Sequence, residues 1–189
     1  MTVHVFRRDP RAKSYVNTTS HADGWGRGLS PFLLGPVKLY GRYEAKNVEN
    51  AWQFCKVYPH HAGEDGEPNA DYFRWAERGW GDRWAHRYPK GKNAVPKYSW
   101  WDGKRLNYVQ ARKRIYCPLY ATAVAKTEAW RKLKAKYRAE GELWLWDFDA
   151  YDHRALGMSY RDVLCDLSRK MGHAFVLAMM LEGQREWEE

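Results

Sequence analysis

KNVENAWQFCKVY, residues 46–58, predicts an amphipathic helix with a polar line along one side. Asn47 is a suitable N-cap for it. At about 100° per residue, Glu49, Gln53 and Lys56 fall close to one line along the helix axis. A carboxylate, an amide and an amine in one line form either a solvated stripe or the wall of a catalytic pocket.

An α+β fold is predicted outward from this helix, as a single mostly helical domain with a small β-sheet over residues 1–189. The 189-residue length suits one domain with a sizeable core. Hydrophobic periodicity and turn residues divide the rest of the chain. Strands are predicted at residues 3–6, 30–34, 37–40 and 143–149, helices at 71–85, 106–116, 118–139 and from 159 to about 181, and a long loop at 86–104.

The composition points to an anionic partner. The formal net charge is +9, and aromatic residues make up 16% of the chain, including 11 Trp. Positive charge attracts nucleotides and nucleic acids, DNA among them, and aromatic rings can stack on bases. The tryptophans can equally be core residues.

A cytoplasmic protein is expected from the terminus and the cysteines. No apolar run approaches the roughly 20 residues that a membrane span needs, and the N-terminal residues lack the apolar segment of a signal peptide. The three cysteines are far apart in the sequence and predict no disulfide framework. The oligomeric state is left open.

Several common catalytic motifs are missing. The chain contains no P-loop, no GxGxxG, no HExxH and no GxSxG. His60 and His61 are adjacent, but no other ligand stands at metal-binding spacing. We therefore expect neither a metal nor a cofactor.

Two later regions carry candidate site residues. In the strand predicted at 143–149, Trp144 and Trp146 share one face and are expected in the core, while Asp147 and Asp149 share the other face with Leu143. The helix predicted at 106–116 is basic on one side. Arg112 and Arg114 in this helix, and Arg105 just before it, are candidates for phosphate contact.

Residues 30–58, SPFLLGPVKLYGRYEAKNVENAWQFCKVY, resemble the N-terminal signature of the NADAR (YbiA-like) N-glycosidase superfamily, in a diverged form. That signature has a Ser-x-Phe strand start, met here by Ser30 and Phe32, and a helix reading Val-Glu-x-x-x-Gln-x-x-Lys. Downstream, Trp101 is similar to the tryptophan of a family turn that precedes an arginine-rich helix. Asp147, Asp149 or Asp152 is similar to the acid that the family carries on a late strand. In place of the family's Asp-x-x-Trp-Gly ending, AYDHRALG follows Asp149.

The resemblance implies an N-glycosidase that cleaves the C–N bond between a ribose and a base, as in a ribosylated nucleotide or an ADP-ribosylated base. It implies Glu49 as the acid/base and Lys56 as the nucleophile or a phosphate ligand. The third catalytic residue is an acid, either Asp147, Asp149 or Asp152, with Asp149 preferred. Residues expected to bind substrate are Gln53, Ser30, Phe32, Trp101, Arg105, Arg112, Asp147 and Asp152.

Two competing functions remain at this stage. One is a non-catalytic nucleic-acid-binding protein, such as a phage or mobile-element factor, that uses the basic helix and the aromatic loop. The other is an enzyme on the same scaffold that modifies DNA bases. The three hypotheses differ in whether Glu49 and Lys56 lie in one cleft with a late acid.

Overall fold

The computed structural model describes residues 1–9 and 11–188, which form an α+β fold. The strands are β1 (Thr2–Phe6), β2 (Val16–Asn17), β3 (Val37–Lys38), β4 (Glu44–Ala45), β5 (Lys56–Val57), β6 (Tyr98–Trp101), β7 (Lys104–Leu106) and β8 (Glu142–Trp146). The α-helices are α1 (Val48–Phe54), α2 (Ala70–Gly81), α3 (Tyr108–Ala111), α4 (Cys117–Val124), α5 (Glu128–Glu140), α6 (Tyr160–Cys165) and α7 (His173–Glu182). None of these helices is long and apolar enough to cross a membrane.

A parallel sheet in the order β1–β8–β2 lies against α7. In its register Thr2 pairs with Glu142 and Phe6 with Trp146. The α7 side chains are buried from His173 to Met179, so this helix is enclosed on all sides. Such a helix needs an apolar surface around its whole circumference, which the sheet and α4 supply.

The core face of β8 is the opposite of the one expected. Leu143 and Leu145 are buried, whereas Trp144 and Trp146 are only partly buried. Trp144 stacks on His4, with ring centroids 4.2 Å apart, and Nε1 of Trp146 donates to the carbonyl of Arg7 at 2.9 Å. The prediction that the two tryptophans form the core was wrong because alternation along a strand does not show which face meets the rest of the fold.

Helix α1 begins as predicted but ends early. The side chain of Asn47 accepts a hydrogen bond from the amide of Asn50 at 2.8 Å, which confirms the N-cap. The helix ends at Phe54, and the next residues form β5, in which Lys56 pairs with Ser99 of β6. The helix predicted to Tyr58 was too long, since pairing with a distant strand outcompetes local helix propensity there.

Residues 30–34 form a turn rather than the predicted strand. The amides of Val48 and Glu49 donate to the carbonyls of Leu34 and Pro31, at 2.8 and 3.1 Å. The first amides of a helix have no acceptor within the helix. The turn supplies two such acceptors and is thereby held against the start of α1.

The helix predicted at 71–85 forms as α2, and the other three predicted helices are divided. Arg112–Tyr116 is a π-helical turn between α3 and α4, and Thr127 caps a separate α5. The last predicted helix is interrupted between α6 and α7, where Leu167 is 68% exposed. The loop expected at 86–104 contains β6, which pairs with both β5 and β7.

Candidate active site

A cavity of about 290 Å³ opens beside α1 and the N-terminus of α7. This volume is near the lower end of the roughly 300–1,000 Å³ typical of ligand pockets. Eight of the residues predicted for the site line it: Ser30, Phe32, Glu49, Gln53, Lys56, Arg112, Asp147 and Asp149. The long-range folding of the chain thus brings the start of α1 and the end of β8 to one cavity.

A continuous chain of hydrogen bonds along one wall joins Glu49 and Gln53 of α1 to Lys56 of β5. Nε2 of Gln53 donates to Oε1 of Glu49 at 2.9 Å, and Nζ of Lys56 donates to Oε1 of Gln53 at 2.6 Å. Glu49 and Gln53 are each only 6% exposed. The three side chains are therefore a cavity wall and not a solvated stripe, and Gln53 separates the carboxyl from the amine.

Burial changes the acid–base properties of both ends of this chain. Removal from water raises the pKa of Glu49, and the Gln53 amide and Lys56 offset this only in part. Removal from water also lowers the pKa of Lys56. Because burial disfavours the charged form of each group, the cavity shifts Glu49 toward its protonated form and Lys56 toward its neutral amine.

An aromatic wall accounts for the apolar surroundings of the amine. Nζ of Lys56 lies 4.8 Å from the ring centroid of Trp52. The Trp52 ring lies 5.2 Å from that of Tyr116 and 5.8 Å from that of Tyr108. Trp52 therefore belongs to the core and also forms an apolar side for Lys56.

Opposite this wall, Asp147 and His173 form a buried ion pair. Nδ1 of His173 lies 3.1 Å from Oδ2 of Asp147, while its Nε2 faces the carbonyl of Thr18 at 2.8 Å. A carbonyl only accepts, so Nε2 carries a proton. Burial alone would lower the pKa of His173, but the carboxylate outweighs burial and raises it. The ring is therefore held as an imidazolium by an ionised Asp147, whose pKa is lowered.

The backbone allows this pair to sit at the start of α7. Oδ2 of Asp147 also accepts from the amide of Ala174, at 3.2 Å, where a carboxylate complements the helix dipole. Any side chain at Gly172 would have its Cβ 2.1 Å from that same oxygen. Only glycine at this position leaves room for the Asp147 carboxylate.

The mouth of the cavity carries two cations. Nη2 of Arg87 donates to Oδ2 of Asp149 at 2.5 Å, and both side chains are about one-third exposed. Nζ of Lys170 donates to the Tyr88 hydroxyl at 2.8 Å. Asp149 thus balances the charge of Arg87, whereas Lys170 has no carboxylate among these contacts to neutralise it.

Arg112 lies in the cavity wall, but its guanidinium faces protein carbonyls. Nη1 donates to the carbonyls of Val163, Leu164 and Asp166, and Nη2 to that of Arg169. Arg112 therefore holds the turn that leads into α7.

Three predicted site residues lie outside the cavity lining. Trp101 packs on Tyr40, with ring centroids 5.0 Å apart, and Arg105 forms an ion pair with Glu67. Asp152 forms an ion pair with Arg11 at 2.5 Å. In each case a neighbour from a distant part of the chain engages the side chain.

The basic face predicted for the helix at 106–116 does not form. Arg112 is buried and Arg105 is on β7 and paired. Arg114 is exposed and forms no ion pair within residues 1–9 and 11–188. The prediction was wrong because it rested on proximity in the sequence. Arg105 lies on β7 and the other two arginines lie in the π-helical turn, which separates the three side chains.

Several lining residues had no signal in the sequence: Tyr88, Arg87, Tyr108, Tyr116, Lys170 and His173. Arg87 and Tyr88 fall in the segment that was predicted as a loop, and His173 falls in the interior of the predicted last helix. The break between α6 and α7, marked only by Gly172, is what brings His173 to the cavity.

Comparison with known proteins assigns no family: no protein-family model, no curated protein and no solved structure matches the chain. Residues 1–9 and 11–188 also contain no group of three or more His, Cys, Asp or Glu side chains placed to hold a metal ion.

Proposed function

We propose that the cavity is the active site of an N-glycosidase that cleaves a ribose–base C–N bond. The observation that carries this proposal is the buried chain of Glu49, Gln53 and Lys56, in which burial raises the pKa of the acid and lowers that of the amine. Displacement of paired pKa values in a cleft is typical of groups that exchange protons with a substrate.

In the proposed reaction, neutral Nζ of Lys56 attacks C1′ of the ribose, and the C1′–N bond breaks with its electron pair on the departing nitrogen. Protonated Glu49 donates a proton to that nitrogen and becomes a carboxylate. The carboxylate then accepts a proton from the alkylated nitrogen of Lys56 through a water molecule, since Gln53 separates the two side chains. The sugar ring opens when O4′ takes this proton back, which leaves a protonated imine on Lys56.

Water completes the cycle. Its oxygen becomes the carbonyl oxygen of the released ribose aldehyde, and its protons pass to Nζ of Lys56, which returns one to Glu49. Gln53 holds the two groups apart and offers its amide to a sugar hydroxyl. Asp149, at the mouth, is the acid that we place nearest the sugar, while Asp147 is committed to His173.

The cations at the mouth favour an anionic substrate. Lys170 and Arg87 can take a phosphate of a ribosylated nucleotide, and the net charge of +9 attracts such a substrate over longer distances. A nucleic acid carrying an ADP-ribosylated base is one form of it. We propose a YbiA-like fold on the same grounds as the activity, namely the Ser30, Phe32, Glu49, Gln53 and Lys56 pattern and its convergence on one cavity.

Imine trapping tests the proposal without a known substrate. The protein is incubated with ribose 5-phosphate and cyanoborohydride, which reduces an imine to a stable amine, and the modified lysine is located by mass spectrometry. We expect preferential labelling of Lys56 and its loss in Lys56→Met, with Lys104→Met, an exposed position on β7, as the matched control. Equal labelling of all surface lysines would rule out the nucleophile assigned here.

A further inference from the structure

The segment from Asp82 to Tyr88 connects the back of α1 to the mouth of the cavity. It follows α2 directly and is fastened to α1 by one side chain, that of Asn50. Nδ2 of Asn50 donates to the carbonyls of Asp82 and Trp84, at 3.0 and 2.9 Å. Oδ1 of Asn50 accepts from the amide of His86 at 2.9 Å. One side chain thus makes three hydrogen bonds to alternate residues of the segment.

Asn50 is fully buried and adjoins the proposed acid in the sequence. Helical geometry turns Glu49 and Asn50 about 100° apart, so α1 presents Glu49 to the cavity and Asn50 to the segment. Both amide protons of Asn50 and one lone pair of its oxygen are used. A carboxylate lacks the two donors, and an aliphatic side chain lacks all three groups.

Arg87 is the next residue after the fastened stretch. Its guanidinium reaches Asp149 at the end of β8 and lies 5.9 Å from the ring centroid of Phe148. The segment is therefore held at both ends, by Asn50 on one side and by Arg87 on the other. Its position decides where the cation of the mouth stands.

We infer that Asn50 is a positioning residue, which fastens residues 82–86 so that Arg87 stands at the cavity mouth to take the anionic part of the substrate. The inference rests on the proposed function for the identity of the cavity. Without Asn50, two carbonyls and one amide lose their partners and turn to water, because buried polar groups without partners are costly. Arg87 then moves with the segment.

A double-mutant cycle tests whether Asn50 acts through Arg87. The probe is ribitol 5-phosphate, which has no carbonyl and cannot form the imine, and its dissociation constant is measured by isothermal titration calorimetry. We expect Arg87→Met and Asn50→Leu each to weaken binding by about tenfold or more, the size of one charge-assisted hydrogen bond. In the Arg87→Met background, Asn50→Leu should then change affinity by less than about twofold.

Asn69→Leu is the matched control, because Asn69 also joins a loop to a helix, through the carbonyl of His60 and the amide of Tyr72, away from the cavity. It should lower thermal stability and leave affinity unchanged. If Asn50→Leu does not fold, Asp82→Ala replaces it. The Asp82 carboxylate holds Trp84 and His86 within the same segment, so its effect should likewise vanish in the Arg87→Met background.

Additive effects of the two substitutions, or no binding of ribitol 5-phosphate by the unmodified protein, would overturn the inference. Its failure is distinguishable from that of the proposed function. Trapping at Lys56 with additive binding effects rejects the role of Asn50 alone. Coupled binding effects without any trapping at Lys56 reject the glycosidase chemistry alone.

Discussion

Replacing Asp147 with Asn should cost this protein a large part of its stability. Asparagine has nearly the same shape and can still accept from the amide of Ala174, but it cannot balance the charge of His173. Breaking one side of a buried ion pair typically costs about 3–5 kcal/mol. For a domain of this size each kcal/mol lowers the melting temperature by roughly 2–4 °C. We therefore expect a decrease of roughly 6–20 °C.

The pH dependence of this loss follows from the signs of the two shifts. The raised pKa of His173 gives stability that is complete below the ordinary value near 6.5 and is lost as the pH rises through the raised value. The lowered pKa of Asp147 gives stability that is present above about 3.8 and is lost as the pH falls through the lowered value. The pair thus contributes most in the window between these ordinary values.

In Asp147→Asn, only the Thr18 carbonyl and Glu49 still favour the charged form of His173, so burial should lower the pKa of His173. The variant should then become less stable as the pH falls, because the unfolded chain binds a proton that the folded chain resists. The difference in melting temperature should be wide near about pH 5.5 and should narrow as the pH rises through the raised pKa of His173 in the unmodified protein.

Thermal unfolding followed by circular dichroism at several pH values measures this difference. Asp152→Asn is the control, since Asp152 forms a partly exposed pair with Arg11, and such pairs contribute about 0–1 kcal/mol. A loss below about 1 kcal/mol in Asp147→Asn, or an equal loss at both ends of the pH range, would refute the assignment of a buried imidazolium–carboxylate pair.

Three further predictions concern Glu49, Gly172 and Gly79, the last with Gly81 as its control. Glu49→Gln should lower turnover of a ribosylated nucleotide by about 10²–10⁴-fold without unfolding the protein, and its pH–rate profile should lose one limb of the bell; an unchanged profile would remove Glu49 from the mechanism. Gly172→Ala should lower the melting temperature about as much as Asp147→Asn, because its Cβ would meet the Asp147 carboxylate at 2.1 Å. Gly79→Ala should destabilise the protein by at least about 1–3 kcal/mol, because its Cβ would lie 2.0 Å from ring atoms of Phe54. Gly81→Ala meets open space and should be neutral or stabilising by up to about 1 kcal/mol. Chemical denaturation of the two variants checks this difference in sign.

The function classes also differ in their products. N-glycosidase activity on ADP-ribosylated DNA should release the ribose adduct and leave ordinary nucleosides at their usual mass, as mass spectrometry of the digested DNA would show. A nucleoside of changed mass in unmodified duplex would indicate a base-modifying enzyme instead.

Local features of the chain were predictable where short-range geometry alone decides them. The helical period places Glu49 and Gln53 on one side of α1, whereas Lys56 lies in β5, beyond the end of the helix, and joins them by a hydrogen bond to Gln53. Asn47 was recognisable as an N-cap, and Ser159 with Asp162 as a capping box, because each needs only neighbours three residues away. Gly141 ends α5 in the left-handed conformation for the same reason.

Features that depend on distant partners were not predictable. Trp101, Arg105 and Asp152 are of the residue types that sites use, but each is engaged by a partner from a distant part of the chain. Arg87 and His173 belong to no local sequence pattern. Arg87 reaches the cavity because Asn50 holds the segment before it, and His173 reaches it because of the break before α7.

The sequence by itself determined the line of Glu49 and Gln53 along α1 and its N-cap, because a helix repeats every 3.6 residues wherever it occurs and its cap needs only the first turn. Only the tertiary structure decided that this line faces a cavity. Burial of Glu49 and Lys56 shifts their pKa values, and burial is a property of the elements packed around them: the turn at residues 30–34, the end of β8 and the start of α7.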